Sequence, residues 1–298
     1  VAVVKGTESL RTWRVRVPLT VAFQGVRVRE ATLVEGPAGW GEVSPFPGFP
    51  TDPALAWQAA REAATTPWPA PLRAEVEVAE VLPAVAPARA AELAVRVVAG
   101  TVKVKVGRGD DLGRVRAVRE VLGPRVRIRV DANGAWDVAT AVDRVRALAA
   151  LDVELVEQPV AGLEDLAHVR RLVALPLAAD EAVRSLDDAR LLRRLGAADA
   201  LVVKVQAAGG VRAALALAEA AGVPAIPSSM VETSVGLAAG LALAACLPAV
   251  PYASGLGTGA LLAGDVVREP LVPVGGRLAL RRPVPDPELL ARYQAVPA

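Results

Sequence analysis

Hydrophobic and polar residues alternate with a period of two between residues 13 and 40, where Trp-Arg-Val-Arg-Val is followed by Val-Arg-Val-Arg-Glu-Ala-Thr-Leu-Val-Glu. That period places apolar side chains on one face of an extended chain, so the stretch predicts antiparallel strands joined by turns. Residues 40–50 form a Gly/Pro-rich loop, and residues 52–64 carry a helical pattern with Asp52 as its N-cap. A proline-rich connector follows at 65–71. Strands followed by a helix describe a small α+β domain, residues 1–71.

From residue 72 the pattern changes. Short β-rich runs at 76–82, 102–106, 126–131, 153–157, 177–180, 200–205 and 225–227, with an eighth near Tyr252, alternate with helical runs. The helices are expected at 88–99, 112–122, 138–151, 163–172, 186–195, 211–221 and 235–247. This alternation predicts a parallel sheet with crossover helices, and eight strands favour closure into an α/β barrel, residues 72–264. The Pro-rich remainder, 265–298, has a β-like run at 277–280 and is expected to pack back on the first domain.

Composition narrows the classes. A chain of 298 residues with 53% hydrophobic and 22% charged residues is globular and long enough to bury a sizeable core. Net charge is only +2 with scattered arginines, and aromatics are 3%, which argues against a nucleic-acid partner and its stacking platforms. The single cysteine, Cys246, excludes an internal disulfide framework and a cysteine-built zinc site; its apolar setting predicts burial. The apolar run at 235–247 is too short to span a bilayer, and the chain does not open with a basic-then-apolar leader. The expectation is a cytoplasmic protein without membrane insertion.

Charge type is more informative than charge total. Only four of the 34 basic residues are lysines: Lys5, Lys103, Lys105 and Lys204. Guanidinium does not give up its proton near neutral pH, whereas an ammonium can, so lysines kept against this arginine background are candidates for proton transfer. Lys105, Asp131, Glu157, Asp180 and Lys204 follow one another at intervals of 23 to 26 residues, about one β/α unit each. Five consecutive strands would then present one charged residue each at the end where barrels carry their active sites. Three converging carboxylates repel unless a hard cation joins them, and Mg2+ is the expected metal, with Mn2+ as a substitute. Lys103 and Lys105, two apart on one strand, point the same way, and their like charge and desolvation are expected to lower a lysine pKa toward that of a working base. His168 lies mid-helix and reads as structural. Gly255-Leu-Gly-Thr-Gly lacks the βαβ setting of a dinucleotide loop; backbone N–H groups of Gly255 and Gly257, and the hydroxyls of Ser228 and Ser229, are better read as contacts for an anionic substrate group.

Lys103-Val-Lys105, Asp131-Ala-Asn133, Glu157-Gln-Pro159, Asp180-Glu181 and Val203-Lys204 resemble the enolase superfamily, in its muconate-lactonizing-enzyme-like subgroup. Trp40-Gly-Glu-Val-Ser-Pro-Phe-Pro-Gly-Phe-Pro50 and Ser228-Ser-Met-Val-Glu-Thr-Ser-Val-Gly236 look like the o-succinylbenzoate synthase family within it. The resemblance implies a (β/α)7β barrel capped by the α+β domain, with Mg2+ on Asp131, Glu157 and Asp180. It implies syn-dehydration of 2-succinyl-6-hydroxy-2,4-cyclohexadiene-1-carboxylate, a step of menaquinone biosynthesis. Lys105 would be the base and then the acid, Lys204 the electrostatic partner on the opposite face, and Lys103 the residue that tunes Lys105. The metal would stabilise the enediolate. Asn133, Ser229 and the Gly255–Gly257 loop would contact this small carboxylate substrate. Two other readings are an N-succinylamino acid racemase, which needs a base on each face of the α-carbon, and a metal-binding barrel without turnover.

Overall fold

A computed structural model describes residues 10–295; Lys5 lies outside them. The period-two segment forms β1 (Arg11–Phe23), β2 (Val26–Gly36) and β3 (Gly39–Val43), an antiparallel sheet in the order β1-β2-β3. Gln24 and Gly25, at φ 47° and 84°, make the two-residue turn between β1 and β2, with Phe23 opposite Val26. Helix α1 (Pro53–Thr65) starts at Asp52, whose side chain accepts from Ala54 N, and buries a stripe of alanines against the sheet. The helix comes so close that a Cβ at Gly41 would lie 2.1 Å from the Ala60 carbonyl.

The alternating region follows as β4 (Glu75–Leu82), α2 (Pro87–Ala94), β5 (Thr101–Lys105), α3 (Asp111–Leu122), β6 (Arg127–Asp131), α4 (Val138–Ala149), β7 (Val153–Glu157) and α5 (Leu163–Leu172). It continues with β8 (Leu177–Ala179), α6 (Leu186–Leu195), β9 (Ala200–Lys204), α7 (Val205–Ala208), α8 (Val211–Ala221), β10 (Ala225–Ser228), α9 (Ser234–Cys246) and β11 (Ser254–Gly257). Neighbouring strands from β4 to β11 pair in parallel, and β11 pairs with β4, so the sheet closes into a (β/α)7β barrel. Leu155, Ala178, Ala200, Val202 and Ile226 fill its interior, and the main core lies between strands and helices. Among the described residues no helix is long and apolar enough to cross a membrane.

Several local expectations change. Helix α2 stops at Ala94 rather than residue 99: valines at 95, 97 and 98 are weak helix formers, and Glu80 Oε1 takes the N–H groups of Val98 and Ala99 at 2.9 Å each. The eighth strand lies near Tyr252 as expected, at Ser254–Gly257. Cys246 ends α9 only half-buried, its Sγ 3.4 Å from the Pro69 carbonyl, because the proline-rich connector runs over that helix end. In the tail, β12 (Arg277–Ala279) pairs antiparallel with the start of β4, and α10 (Pro287–Tyr293) lies against β1. The apolar cluster of the cap is completed by Met230, Val231, Val235 and Leu262 from the barrel and by Val266 and Leu290 from the tail.

A buried polar seam joins cap to barrel. Glu42 of β3 accepts from Ser44 Oγ (2.6 Å), Thr233 N (3.1 Å) and Gly236 N (3.0 Å), and also from Thr233 Oγ1, so a cap carboxylate covers the first turn of α9. Gly236 permits this approach, since a Cβ there would sit 2.9 Å from the Glu42 carboxyl carbon. Glu232 accepts from Met230 N (2.6 Å) and Gln206 Nε2 (3.2 Å), and Gln206 Oε1 accepts from Ser44 N (2.8 Å). Arg29 reaches across to donate to the carbonyls of Val231 (3.1 Å) and Ser44.

Candidate active site

Strand register aligns the charged residues. Lys105 lies opposite Asp131, Asp131 opposite Glu157, and Ser228 opposite Lys204, all at the C-terminal ends of their strands. Asp180 follows β8 directly. Carboxylate oxygens of Asp131, Glu157 and Asp180 lie within 4.8 Å of one another, and all three residues are buried. Gln158, the residue after Glu157, accepts the N–H of Asp180 at 2.6 Å and so fixes one carboxylate from the base of another. It holds a left-handed backbone, φ 39°, as does Asn133 at 48°. Such non-glycine conformations survive where surrounding contacts hold them.

Each carboxylate meets an ammonium. Lys105 Nζ is 2.5 Å from Asp131 Oδ2; Lys103 Nζ is 3.1 Å from that same oxygen and 2.9 Å from Glu157 Oε1; Lys204 pairs with Asp180. Burial pushes Glu157 up to about 8, helped by repulsion from Asp131, and pushes Asp180 up to about 6. Burial acts on Asp131 in the same sense, but Lys105 and Lys103 outweigh it and hold that carboxyl well below the usual range. The expectation of a lowered lysine pKa is overturned at Lys103. Burial alone would lower it, yet the facing Glu157, Asp131 and Asp180 carboxylates outweigh burial and raise it. At Lys103 the three facing carboxylates outweigh the like charge of Lys105.

Three convergent, buried, all-oxygen donors, two of them costly to ionise beside the third, suit a hard divalent cation. The donor set therefore fits the metal centre that the spacing implied.

A cavity of about 520 Å3 opens above these residues, a size suited to a small-molecule ligand. Asn133, Ser228, Ser229 and Gly255 line it. Asn133 Oδ1 accepts from Lys105 Nζ (3.0 Å) and from Gln24 Nε2 (2.9 Å), so the β1–β2 turn of the cap touches the barrel mouth. Ser229 Oγ lies 2.8 Å from Thr258 Oγ1. Gly257 does not line the cavity: a Cβ there would meet the Ala79 carbonyl at 2.5 Å, so this glycine allows β11 to close on β4. His168 is exposed on α5, away from the cavity.

The cap supplies a wall that charge spacing does not reveal. All three phenylalanines of the chain, Phe23, Phe46 and Phe49, line the cavity. The Phe49 ring centre is 4.1 Å from Lys204 Nζ and that of Phe23 is 5.9 Å from Lys105 Nζ. The available signal was scarcity, as with lysine.

Comparisons with known proteins agree with this architecture. Residues 14–64 match the family model described as enolase N-terminal domain-like, and residues 86–286 match enolase C-terminal domain-like. The o-succinylbenzoate synthase of Thermobifida fusca is 51% identical over 95% of this chain and 91% of its own length. That of Mycolicibacterium smegmatis is 44% identical over 94% of this chain and 89% of its own. Among solved structures, muconate lactonizing enzyme from Pseudomonas fluorescens, complexed with muconolactone, superposes with TM-score 0.86 at 22% identity, covering 97% of this chain and 99% of that one. Capped barrel, acidic triad and extended identity together place this chain in the enolase superfamily and, within it, in the o-succinylbenzoate synthase family.

Proposed function

We propose that the chain is a lyase that dehydrates 2-succinyl-6-hydroxy-2,4-cyclohexadiene-1-carboxylate to 2-succinylbenzoate with Mg2+, as a cytoplasmic step of menaquinone biosynthesis. The observation that carries this reading is the 51% identity to an o-succinylbenzoate synthase across 95% of the chain. Asp131, Glu157 and Asp180 would hold the cation, which when bound supplies positive charge against the negative charge developing on the substrate carboxylate. Lys105, at the rim and braced by Asn133, takes the proton from the carbon bearing that carboxylate. The same ammonium then gives the proton to the hydroxyl that departs from the neighbouring carbon on the same face. One C–H and one C–O bond break, water leaves, and the ring becomes aromatic.

Lys204 stands across the ring of strands beneath Phe49 as a fixed cation toward the opposite face. Lys103, shared between Asp131 and Glu157, holds these two carboxylates together and tunes Lys105 through Asp131. Ser228, Ser229 and Gly255 give the substrate polar contacts, and the three phenylalanines exclude water from the reacting carbon.

Two lysines on opposite sides of the mouth also favour a second reading, racemisation of an N-succinylamino acid. One assay separates them. Purified protein with Mg2+ is given the cyclohexadiene acid, and loss of the diene absorbance with appearance of 2-succinylbenzoate is expected. Absence of that product together with ready racemisation of N-succinylamino acids would overturn the dehydratase assignment.

A further inference from the structure

Among the described residues, five cationic side chains belong to residues lining the cavity: Lys103, Lys105, Arg108, Arg129 and Lys204. Four are committed to carboxylates. The three lysines pair with Asp131, Glu157 and Asp180, and Arg129 Nε lies 2.6 Å from Glu154. Arg108 is exposed and, among the described residues, has no carboxylate within ion-pairing distance.

Its backbone is nevertheless held firmly. Gly107 turns with φ 89°; a Cβ there would lie 2.8 Å from Ala135 Cβ, so the turn requires glycine. The Asp111 carboxylate accepts Gly107 N at 3.0 Å and Arg108 N at 3.2 Å, and Arg114 Nη2 donates to the Arg108 carbonyl at 2.8 Å. Asp111 and Arg114 are buried and paired at 3.0 Å, and Arg114 Nη1 also donates to the carbonyl of Lys105 at 3.1 Å. One buried clamp thus sets both the strand end that carries Lys105 and the turn that carries Arg108. The two residues are three apart, so their Cα atoms are at most about 10 Å apart.

The substrate proposed above is a dianion. Its ring carboxylate belongs at the acidic triad, where the six charged side chains already balance one another. The carboxylate at the end of its succinyl chain enters a partly apolar cavity and needs a charge of its own. We infer that Arg108 receives this second carboxylate and thereby selects a dicarboxylate over a monocarboxylate. The inference rests on the function proposed above. A guanidinium offers paired donors to a carboxylate, and a turn fixed relative to Lys105 would seat the chain end and the reacting carbon together.

Mg2+-loaded protein is titrated calorimetrically with 2-succinylbenzoate and with 2-butanoylbenzoate, in which a methyl replaces the terminal carboxylate. The native protein is expected to bind the dicarboxylate about ten- to a hundredfold more tightly. In Arg108→Met the preference should collapse to within about threefold, and Arg108→Lys should restore part of it. A preference unchanged in Arg108→Met, or equal losses for both ligands, would overturn the role of Arg108. Native protein that neither dehydrates the cyclohexadiene acid nor binds 2-succinylbenzoate would instead overturn the function on which it rests.

Discussion

Buried carboxylates occur in two regions of this protein, and they are compensated in opposite ways. At the barrel mouth, Asp131, Glu157 and Asp180 are matched by three ammonium groups. At the seam between cap and barrel, Glu42 and Glu232, together with Asp265, which accepts from Ser234 N and Oγ at the start of α9, have no cation within ion-pairing distance among the described residues and rely on backbone N–H, hydroxyl and side-chain amide donors. Arg29, the buried cation of the seam, spends its donors on carbonyls. Burial pushes Glu42 up to about 7, and Glu232 and Asp265 up as well, as it does Glu157 and Asp180 at the mouth; the regions differ in what opposes burial, neutral donors here and ammonium groups there. Ionisable partners leave the mouth able to exchange one partner for another, such as a cation or a substrate. Neutral donors make the seam a fixed joint.

The sharpest way to separate the regions is to disturb the mouth. Lys105→Arg keeps the positive charge but removes the group that can release a proton, so kcat should fall by on the order of 10^3-fold. Circular dichroism should stay native, and activity within tenfold of the parent would remove Lys105 from the base role. Asp131→Asn deprives Lys105 and Lys103 of their shared partner. Unfolding in urea without metal should show a loss of about 3–5 kcal/mol, and calorimetry should show metal affinity reduced by more than about tenfold. An unchanged metal affinity would exclude Asp131 as a ligand.

Glu42→Gln probes the seam through pH. Because the folded pKa of Glu42 lies above its ordinary value, the folded protein binds the extra proton. Its stabilising contribution is complete below about 4.5 and is lost as pH rises through about 7. Relative to native, the glutamine variant should gain up to roughly 3 kcal/mol over that window, read from urea midpoints at pH 4.5 and 8. A constant difference would show that folding does not raise the Glu42 pKa. The smallest effect is expected at Gln24→Ala, which removes one partly exposed contact between cap and mouth. A loss of about two- to tenfold in kcat/KM is expected; a loss as large as that of Lys105→Arg would make the cap part of the chemistry.

The sequence made the mouth more legible than the seam. Lysine stands out against an arginine background, and one charged residue per β/α unit is a period that only a parallel barrel brings to one end. The seam has no such period: Glu42 and Glu232 lie in the two blocks at 40–50 and 228–236 that carry the family resemblance, but nothing in their spacing, or in that of Gln206, shows that folding brings them together and buries them. The sign of the shift at Lys103 was equally hidden, since it depends on which carboxylate faces the ammonium. Gly255 and Gly257 look alike in sequence, yet one borders the cavity and the other permits a strand contact. Nothing in the charge spacing marks Phe23, Phe46 and Phe49, which belong to the cap's apolar cluster and also form a wall over the charged floor.

Helix α9 is buried on every side from Ser234 to Ala245, Gly236 alone being partly exposed. The cap covers its start through Glu42, and the connector with the two residues after it covers its end, where Leu72 N donates to the Ala245 carbonyl at 2.7 Å and Arg73 donates to the Leu247 carbonyl at 2.8 Å. A helix with no wet face cannot be stable until both covers are in place. The boundary visible in the sequence is therefore not a seam along which the protein comes apart: cap and barrel should melt in one cooperative transition. Exchanging caps between related barrels would succeed only if α9 travelled with the cap that shields it.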